Sequence, residues 1–194
     1  MHRQARDEHG NLHPNSPHDY TRYDHLITTM KLKGIDAYFV KETWLEGDVF
    51  DEIINGFHVF RHNGEVGHHN FRGVTIILSP RYHEGWKATG ARPPTTTDAK
   101  GEFAGRFTSL NIKLASNDCL GKKVRGKQGD MQLNLTLVFA YHPCTKTGDD
   151  EIYLRFLKTL NTLLGQAPAK SEIIMGADVN SNIGELDGLH STEF

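Results

Sequence analysis

Cysteine is scarce in this chain, whose 194 residues include only Cys119 and Cys144. The two form no CxxC pair, and they are too few for the disulfide framework of a small secreted domain. This scarcity predicts a reducing, intracellular compartment, either nucleus or cytoplasm.

Long apolar runs and a strong net charge are also lacking. No run of about 18 apolar residues occurs, so no membrane-spanning segment is predicted, and residues 1–20 lack the apolar core of a signal peptide. The net charge is -2, whereas a dedicated nucleic-acid-binding module is usually strongly basic. Any contact with nucleic acid is therefore expected to be local.

Histidine is plentiful, but its placement follows no ligand pattern. Twelve histidines are scattered without the recurring spacing of a metal site. His2, His9, His13 and His18 fall within residues 1–20, a polar, proline-bearing segment that we expect to be an irregular leader. Residues 21–194 are long enough for one domain with a buried core.

The rest of the chain alternates between strand and helix patterns. A helix is expected from Thr21 to Gly34, and a second from about Asp149, with an apolar stripe formed by Ile152, Phe156, Leu157, Leu160 and Leu164. Strands are predicted at IDAYFV, FHVF, GVTIILS, RFTSLNIKL, MQLNLTLVFAY and EIIMG, the last of which we expect to be buried. The pair RFTSLNIKL and MQLNLTLVFAY favours an antiparallel hairpin, and the strand, helix, strand order that follows favours a right-handed parallel crossover. The prediction is a mixed α/β sheet covered by helices on at least one face.

Polar side chains follow three of the predicted strands. Glu42 ends the first, Tyr141 ends "LVFAY", and Asp178 and Asn180 follow "EIIMG". If the strands carrying Glu42 and Asp178 are parallel in one sheet, these side chains converge at one edge, where oxygen ligands suit Mg²⁺. The alternatives are a solvated strand end for Glu42, an Asx-type turn at Asp178, and a packed ring for Tyr141.

Four segments of the chain, taken in order, are "DAYFVKETW", "GVTIILSP", "LVFAYHP" and "IIMGADVN". Together they resemble the endonuclease/exonuclease/phosphatase superfamily of metal-dependent phosphodiesterases. Within it they are most similar to the endonuclease domain of non-long-terminal-repeat retrotransposons. The resemblance implies a four-layer α/β sandwich, here partial, with Mg²⁺ or alternatively Mn²⁺ as cofactor and DNA as the partner of the parent element.

The resemblance also implies roles for individual residues. Glu42 would bind the metal, and Tyr141 would position the scissile phosphate. Asp178 would orient or deprotonate the attacking water, and Asn180 would hold the phosphate or the metal's water shell. The reaction is in-line attack of water on phosphorus, which needs no covalent nucleophile.

Several positions depart from the family pattern. Lys41 replaces a Gln, Ala177 separates Gly176 from Asp178, and His142 stands where a small residue is usual. Neither the family's first strand, with its catalytic Asn, nor its closing Ser-Asp-His segment is recognisable in these residues. We therefore expect a partial domain whose activity is weak or absent.

Three further expectations remain open. The basic residues Lys122, Lys123, Arg125 and Lys127 either contact a nucleic-acid backbone or form a solvated hairpin tip. The chain is alternatively a non-enzymatic remnant that associates through exposed sheet edges. A third alternative keeps the fold but acts on a small phosphoester.

Overall fold

The structure, a computed structural model, describes residues 17–43, 49–62, 73–96, 103–115, 132–142 and 150–178. Within these ranges lie three helices and seven strands. In chain order they are α1 (Pro17–Lys33), β1 (Ala37–Lys41), β2 (Val49–Ile54), β3 (Phe57–His62), β4 (Val74–Leu78), α2 (Pro80–Lys87), β5 (Phe107–Ala115), β6 (Gln132–Tyr141), α3 (Asp150–Gly165) and β7 (Glu172–Asp178).

The strands form two sheets. The first has the order β1-β4-β3-β2 and is antiparallel throughout, and the second has the order β5-β6-β7. The predicted hairpin is confirmed, because β5 pairs antiparallel with β6. The predicted parallel pair is also confirmed, because β6 and β7, which precede and follow α3 in the chain, pair with each other in parallel.

The β2–β3 hairpin closes through Asn55 and Gly56. Their φ angles are 50° and 81°, and positive φ at both central residues is the backbone of the two-residue turn that matches the twist of paired strands. Upstream of the turn, the register shifts between Val49 and Glu52. Asp51 lies in this bulge with a φ of 61°, so the strand is distorted where this side chain projects.

The two sheets pack face to face. Their shared core contains residues from β3 and β4 of the first sheet, from β5 and β6 of the second, and from α2: Phe60, Ile76, Leu78, Trp86, Leu110, Ile112, Leu114, Leu135 and Leu137. Full burial of such side chains stabilises the fold by about 1.5–3 kcal/mol each. This core fixes the distance between the sheets.

Helices cover the outer faces of both sheets. Tyr23, Ile27 and Met30 of α1 are buried against the first sheet, while Phe156, Leu160 and Leu163 of α3 are buried against the second. The order across the molecule is therefore helix, sheet, sheet, helix, and the expectation of an α/β fold is confirmed.

Helix α2 begins at a well-formed cap. The Ser79 hydroxyl accepts a hydrogen bond from the backbone N–H of Tyr82 at 3.3 Å and donates one to Asp36 Oδ1 at 2.7 Å. Pro80 occupies the first turn, where its missing N–H has no intrahelical partner to lose. The cap anchors α2 directly after β4, and α2 then packs against β5, where a Cβ on Gly85 would meet Ile112 Cγ2 at 2.6 Å.

Three sequence-based expectations differ from the structure. Helix α1 begins at Pro17 rather than Thr21, and α2 and β2 were not predicted from the sequence. The apolar run of β7 was expected to be buried, yet Ile173, Ile174 and Met175 are each about half exposed. The reason is topological: β7 lies at the edge of the second sheet, and among the described strands it pairs only with β6.

Candidate functional site

The ends of β1 and β7 meet, but across two sheets. The expectation of one shared parallel sheet for both strands is wrong, because β1 belongs to the first sheet and β7 to the second. The inner faces bring them together: the ring of Phe39 stacks on Phe139 at 5.1 Å, and a Cβ on Gly176 would lie 2.9 Å from the Phe39 ring. Gly176 therefore permits the close approach of the two sheets.

One layer further along the strands, polar side chains replace these rings. Side chains two residues apart share a face of a strand, so Lys41 follows Phe39, Tyr141 follows Phe139, and Asp178 follows Gly176. The Lys41 ammonium forms an ion pair with the Asp178 carboxylate, and Asp178 is the register partner of Tyr141. We call Lys41, Tyr141 and Asp178 the strand-end layer.

Glu42, the predicted metal ligand, lies one residue beyond this layer. It follows the last residue of β1, is partly exposed and has a φ of 53°. Its backbone therefore leaves the strand conformation at that point. The structure brings Asp178 into contact with Lys41, the residue before Glu42.

Tyr141 is more deeply buried than its predicted role suggests. It is 1% exposed and packs with Val74, Phe139 and Phe39. The guanidinium carbon of Arg106 lies 4.6 Å from the centre of its ring, a cation–π contact. Arg106 is a buried cation beside the strand-end layer that sequence reasoning missed.

His142 faces away from the strand-end layer. Its ring packs against Phe156 at 4.9 Å and Tyr153 at 5.4 Å, both on α3. Its backbone N–H donates to the carbonyl of Asp178 at 2.7 Å. Asn180 and the basic residues Lys122, Lys123, Arg125 and Lys127 lie outside the described residues.

A second cluster lies at the opposite end of the first sheet. Asp51 of β2, His58 of β3 and His83 of α2 place one carboxylate oxygen and two imidazole nitrogens within 4.8 Å of one another. Both His58 and Ala37 align with Leu78 of β4, while His62 and Lys41 align with Val74. Four strand positions, about 13 Å at 3.3 Å per residue, therefore separate the two ends.

The distances within this Asp51–His58–His83 cluster are short. Asp51 Oδ1 lies 2.5 Å from His58 Nδ1 and 2.9 Å from His83 Nε2. The two imidazole rings are nearly parallel, with centroids 3.2 Å apart and an interplanar angle of 7°. His83 is 1% exposed, and the ring of Trp86 lies behind it at 5.1 Å.

The electrostatics of the cluster favour an ionised carboxylate and a neutral His83. Burial raises the pKa of Asp51, but the close nitrogens of His58 and His83 lower it by more, so the net pKa is below the ordinary value. Burial lowers the pKa of His83, and the neighbouring His58 lowers it further, against the opposing effect of Asp51. A carboxylate beside a neutral imidazole is a donor set able to bind a metal ion.

Sequence reasoning missed this cluster because its members follow no short spacing. Asp51 and His58 are joined by the hairpin turn at Asn55 and Gly56, a signal readable from the sequence. The position of His83 depends on how α2 packs against the two sheets, and that packing leaves no local pattern.

Two other features bear on function. A cavity of about 390 Å³ lies against β5 and β6, between the segment that follows α2 and the segment between α3 and β7, and it is lined by Arg92, Thr95, Ser109, Asn134 and Ser171 among others. Ser171 precedes β7, so the cavity is at the far end of that strand from Asp178. Among the described helices, none has both the length and the apolar character needed to cross a membrane.

Comparison of the sequence with known proteins gives no family assignment. No protein-family model matches the chain, and no curated protein matches it.

Proposed function

We propose that this chain is a metal-dependent phosphodiester hydrolase, an endonuclease acting on DNA, with its centre at the strand-end layer. The observation that carries the proposal is the convergence of β1, β6 and β7 there, with Lys41 joined to Asp178 and Tyr141 beside it. The order helix, sheet, sheet, helix agrees with the four-layer sandwich of the endonuclease/exonuclease/phosphatase type that the motifs resemble.

The residues at this end suit a hard cation. The carboxylates of Glu42 and Asp178 are oxygen ligands of the kind Mg²⁺ and Mn²⁺ prefer. When bound, the ion supplies charge neutralisation at the phosphoryl oxygens. The chain's own contribution is to hold Asp178 where it orients the attacking water, with Arg106 as a buried cation nearby.

Lys41 sets the state of this centre. Its ammonium already neutralises Asp178, and the ion pair is partly exposed, so it is weak enough to exchange. Binding of a cation and retention of the Lys41 pair compete for one carboxylate. Low activity is the expected consequence.

Nicking of supercoiled plasmid DNA in the presence of Mg²⁺ tests the proposal. We expect Asp178→Asn and Glu42→Gln to lower the rate by about 10²–10⁴-fold, as removal of a general base or ligand does. The matched control is Glu172→Gln, an exposed carboxylate at the start of the same strand, which should nick as fast as the unaltered chain. Equal nicking rates for Asp178→Asn and the unaltered chain would contradict the assignment. Hydrolysis of a small phosphodiester without nicking of DNA would show that the substrate is a small phosphoester rather than DNA.

A second candidate function, association without catalysis, is favoured by β7. Ile173, Ile174 and Met175 are exposed on an edge strand, and such a strand can pair with another chain. Ile174→Lys should reduce self-association in sedimentation experiments. The control Leu32→Lys, which replaces an 80% exposed leucine on α1, should not, and an equal reduction by both would contradict a role for β7.

A further inference from the structure

We infer that Asp51, His58 and His83 form a binding site for a transition-metal ion of the zinc class, separate from the strand-end layer. The donor set is two imidazole nitrogens and one carboxylate oxygen. Imidazole suits Zn²⁺, Cu²⁺, Ni²⁺ and Fe²⁺, whereas Mg²⁺ prefers oxygen alone. This site therefore differs in metal preference from the one proposed at Glu42 and Asp178.

The first argument is the position of His83 Nε2. This atom is buried and makes no directed hydrogen bond within the described residues, although it lies 2.9 Å from Asp51 Oδ1. A buried nitrogen needs a polar partner, and the Asp51 carboxylate lies within reach of this one. Ligand atoms around a tetrahedral zinc lie about 3.3 Å from one another, given Zn–N distances of about 2.0–2.1 Å. The approach of His83 to Asp51 is thus close to that of two ligands sharing one ion. Asp51 Oδ1 and His58 Nδ1 are instead hydrogen-bonded at 2.5 Å, and binding of the ion would replace this hydrogen bond.

The second argument is the proximity of the two imidazoles. Their ring centroids are 3.2 Å apart, and one nitrogen of each ring lies within 4.8 Å of the same Asp51 oxygen. Each lone pair lies in the plane of its own ring, so binding of one ion by both nitrogens requires the rings to turn out of this stack. The aromatic rings of Phe60 and Trp86, themselves 4.9 Å apart, hold His83 in place from behind.

The third argument is the backbone at Asp51. Its φ of 61° and the register shift beside it place a bulge in β2. Bulges re-aim side chains and are frequent beside functional sites. Here the bulge lies where the third ligand of the cluster originates.

The geometry also indicates how the ion is exposed. The side chain of His83 is 2% exposed and that of His58 12%, while that of Asp51 is 32% exposed. The ion would therefore rest on a buried histidine wall and face solvent on the carboxylate side. Three ligands from the described residues leave at least one position for water, the ligand count of catalytic rather than closed structural zinc sites.

Competition with a chromophoric zinc chelator tests the proposal on the full chain. We expect at least one equivalent of Zn²⁺ to bind, and Asp51→Asn and His58→Gln each to remove one equivalent or to weaken it by more than about 100-fold, beyond the effect typical of an outer-shell change. The control variants His25→Gln on α1 and Glu172→Gln on β7, both at exposed positions, should leave that equivalent intact. Zinc held elsewhere, for example by histidines of residues 1–20, would add to the total but would not respond to Asp51→Asn.

Absorption of the Co²⁺-substituted chain provides a second readout. The expected result is a tetrahedral cobalt spectrum that is absent from Asp51→Asn and His58→Gln, with circular dichroism showing that both variants are folded. The same spectrum in all variants, or zinc stoichiometry unchanged by both substitutions, would overturn the site. If either variant fails to fold, the measurement on the unaltered chain decides between the outcomes. Absence of both zinc uptake and the cobalt spectrum in that chain would also overturn the proposed site. Because Mg²⁺-dependent nicking is measured separately, failure of this proposal and failure of the proposed function are distinguishable.

Discussion

Two carboxylates, one near each end of the first sheet, have opposite surroundings. At one end Asp178 of β7 faces the ammonium of Lys41. At the other end, where His58 lies about 13 Å along the strands from Lys41, Asp51 faces two imidazole nitrogens. An ammonium has no lone pair for a metal, whereas a neutral imidazole has one. At the end that carries the family-like motifs, the carboxylate is therefore neutralised by an ammonium. The end without a recognisable motif carries the set of metal ligands.

This difference shows that residue type and residue placement carry separate information. The motifs around Glu42 and Asp178 can be recognised from the sequence because each lies in one continuous segment. The Asp51–His58–His83 cluster is assembled by packing alone.

The largest expected effect is stabilisation by zinc at the histidine end. At free Zn²⁺ about 100 times the Kd, linkage predicts about 2.7 kcal/mol of added stability, measured by denaturant unfolding with and without a chelator. Asp178→Asn should keep this gain, because the strand-end layer is remote. Loss of the gain in Asp178→Asn would break the distinction between the two ends.

The next effect concerns the junction of the sheets. Gly176→Val places a Cβ 2.9 Å from the Phe39 ring, and overpacking of this kind costs about 1–3 kcal/mol. Gly165→Ala is the matched control, since nothing lies within 4 Å of a Cβ there. Zinc affinity should be unchanged in both variants, and an equal loss of stability in both would contradict close packing at Gly176.

The pH dependence of the chelator-treated chain gives a smaller effect. The folded pKa of His83 is below its ordinary value of 6.5, so the folded state binds fewer protons. Its contribution to stability is present above about pH 6.5 and is lost as the pH falls towards the folded pKa, by at most about 1.4 kcal/mol per pH unit for one proton. His83→Gln should flatten this slope and His25→Gln should not; a slope unchanged in His83→Gln would assign it to another group.

The smallest effect is expected from Lys41→Gln, which introduces the residue usual in the resembling family. Removal of a partly exposed ion pair worth about 0.2–1 kcal/mol should lower the Mg²⁺ concentration for half-maximal nicking by a factor of about 1.4 to 5. The Mg²⁺ dependence of the nicking rate measures this. A higher Mg²⁺ requirement would mean that Lys41 supports the centre rather than competing there.

Much of the fold was predictable from periodicity. Tyr23, Ile27 and Met30 recur at helical spacing and are buried, and the alternation in β5 and β6 predicted their pairing. The edge position of β7 was not predictable, because Ile173, Ile174 and Met175 are apolar whether covered or not. Which neighbours reach a strand is a tertiary property.

The candidate sites divide in the same way. The strand ends carrying Glu42, Tyr141 and Asp178 were found from the chain alone, but the contact of Lys41 with Asp178 was not. Lys41 shares the inner face of its strand with Phe39, and it meets Asp178 there because the two sheets oppose each other. Local sequence does not encode that opposition.

The tight turn at Asn55 and Gly56 has a consequence for the order of folding. It joins Asp51 to His58 through a hairpin, and hairpins form in about 1–10 μs. His83 joins them only when β4 and α2 have formed. Closing this longer loop is slower and costs more conformational entropy than closing the hairpin. Two of the three ligands are thus assembled early, and an ion captured by that pair would serve as a nucleus onto which α2 docks.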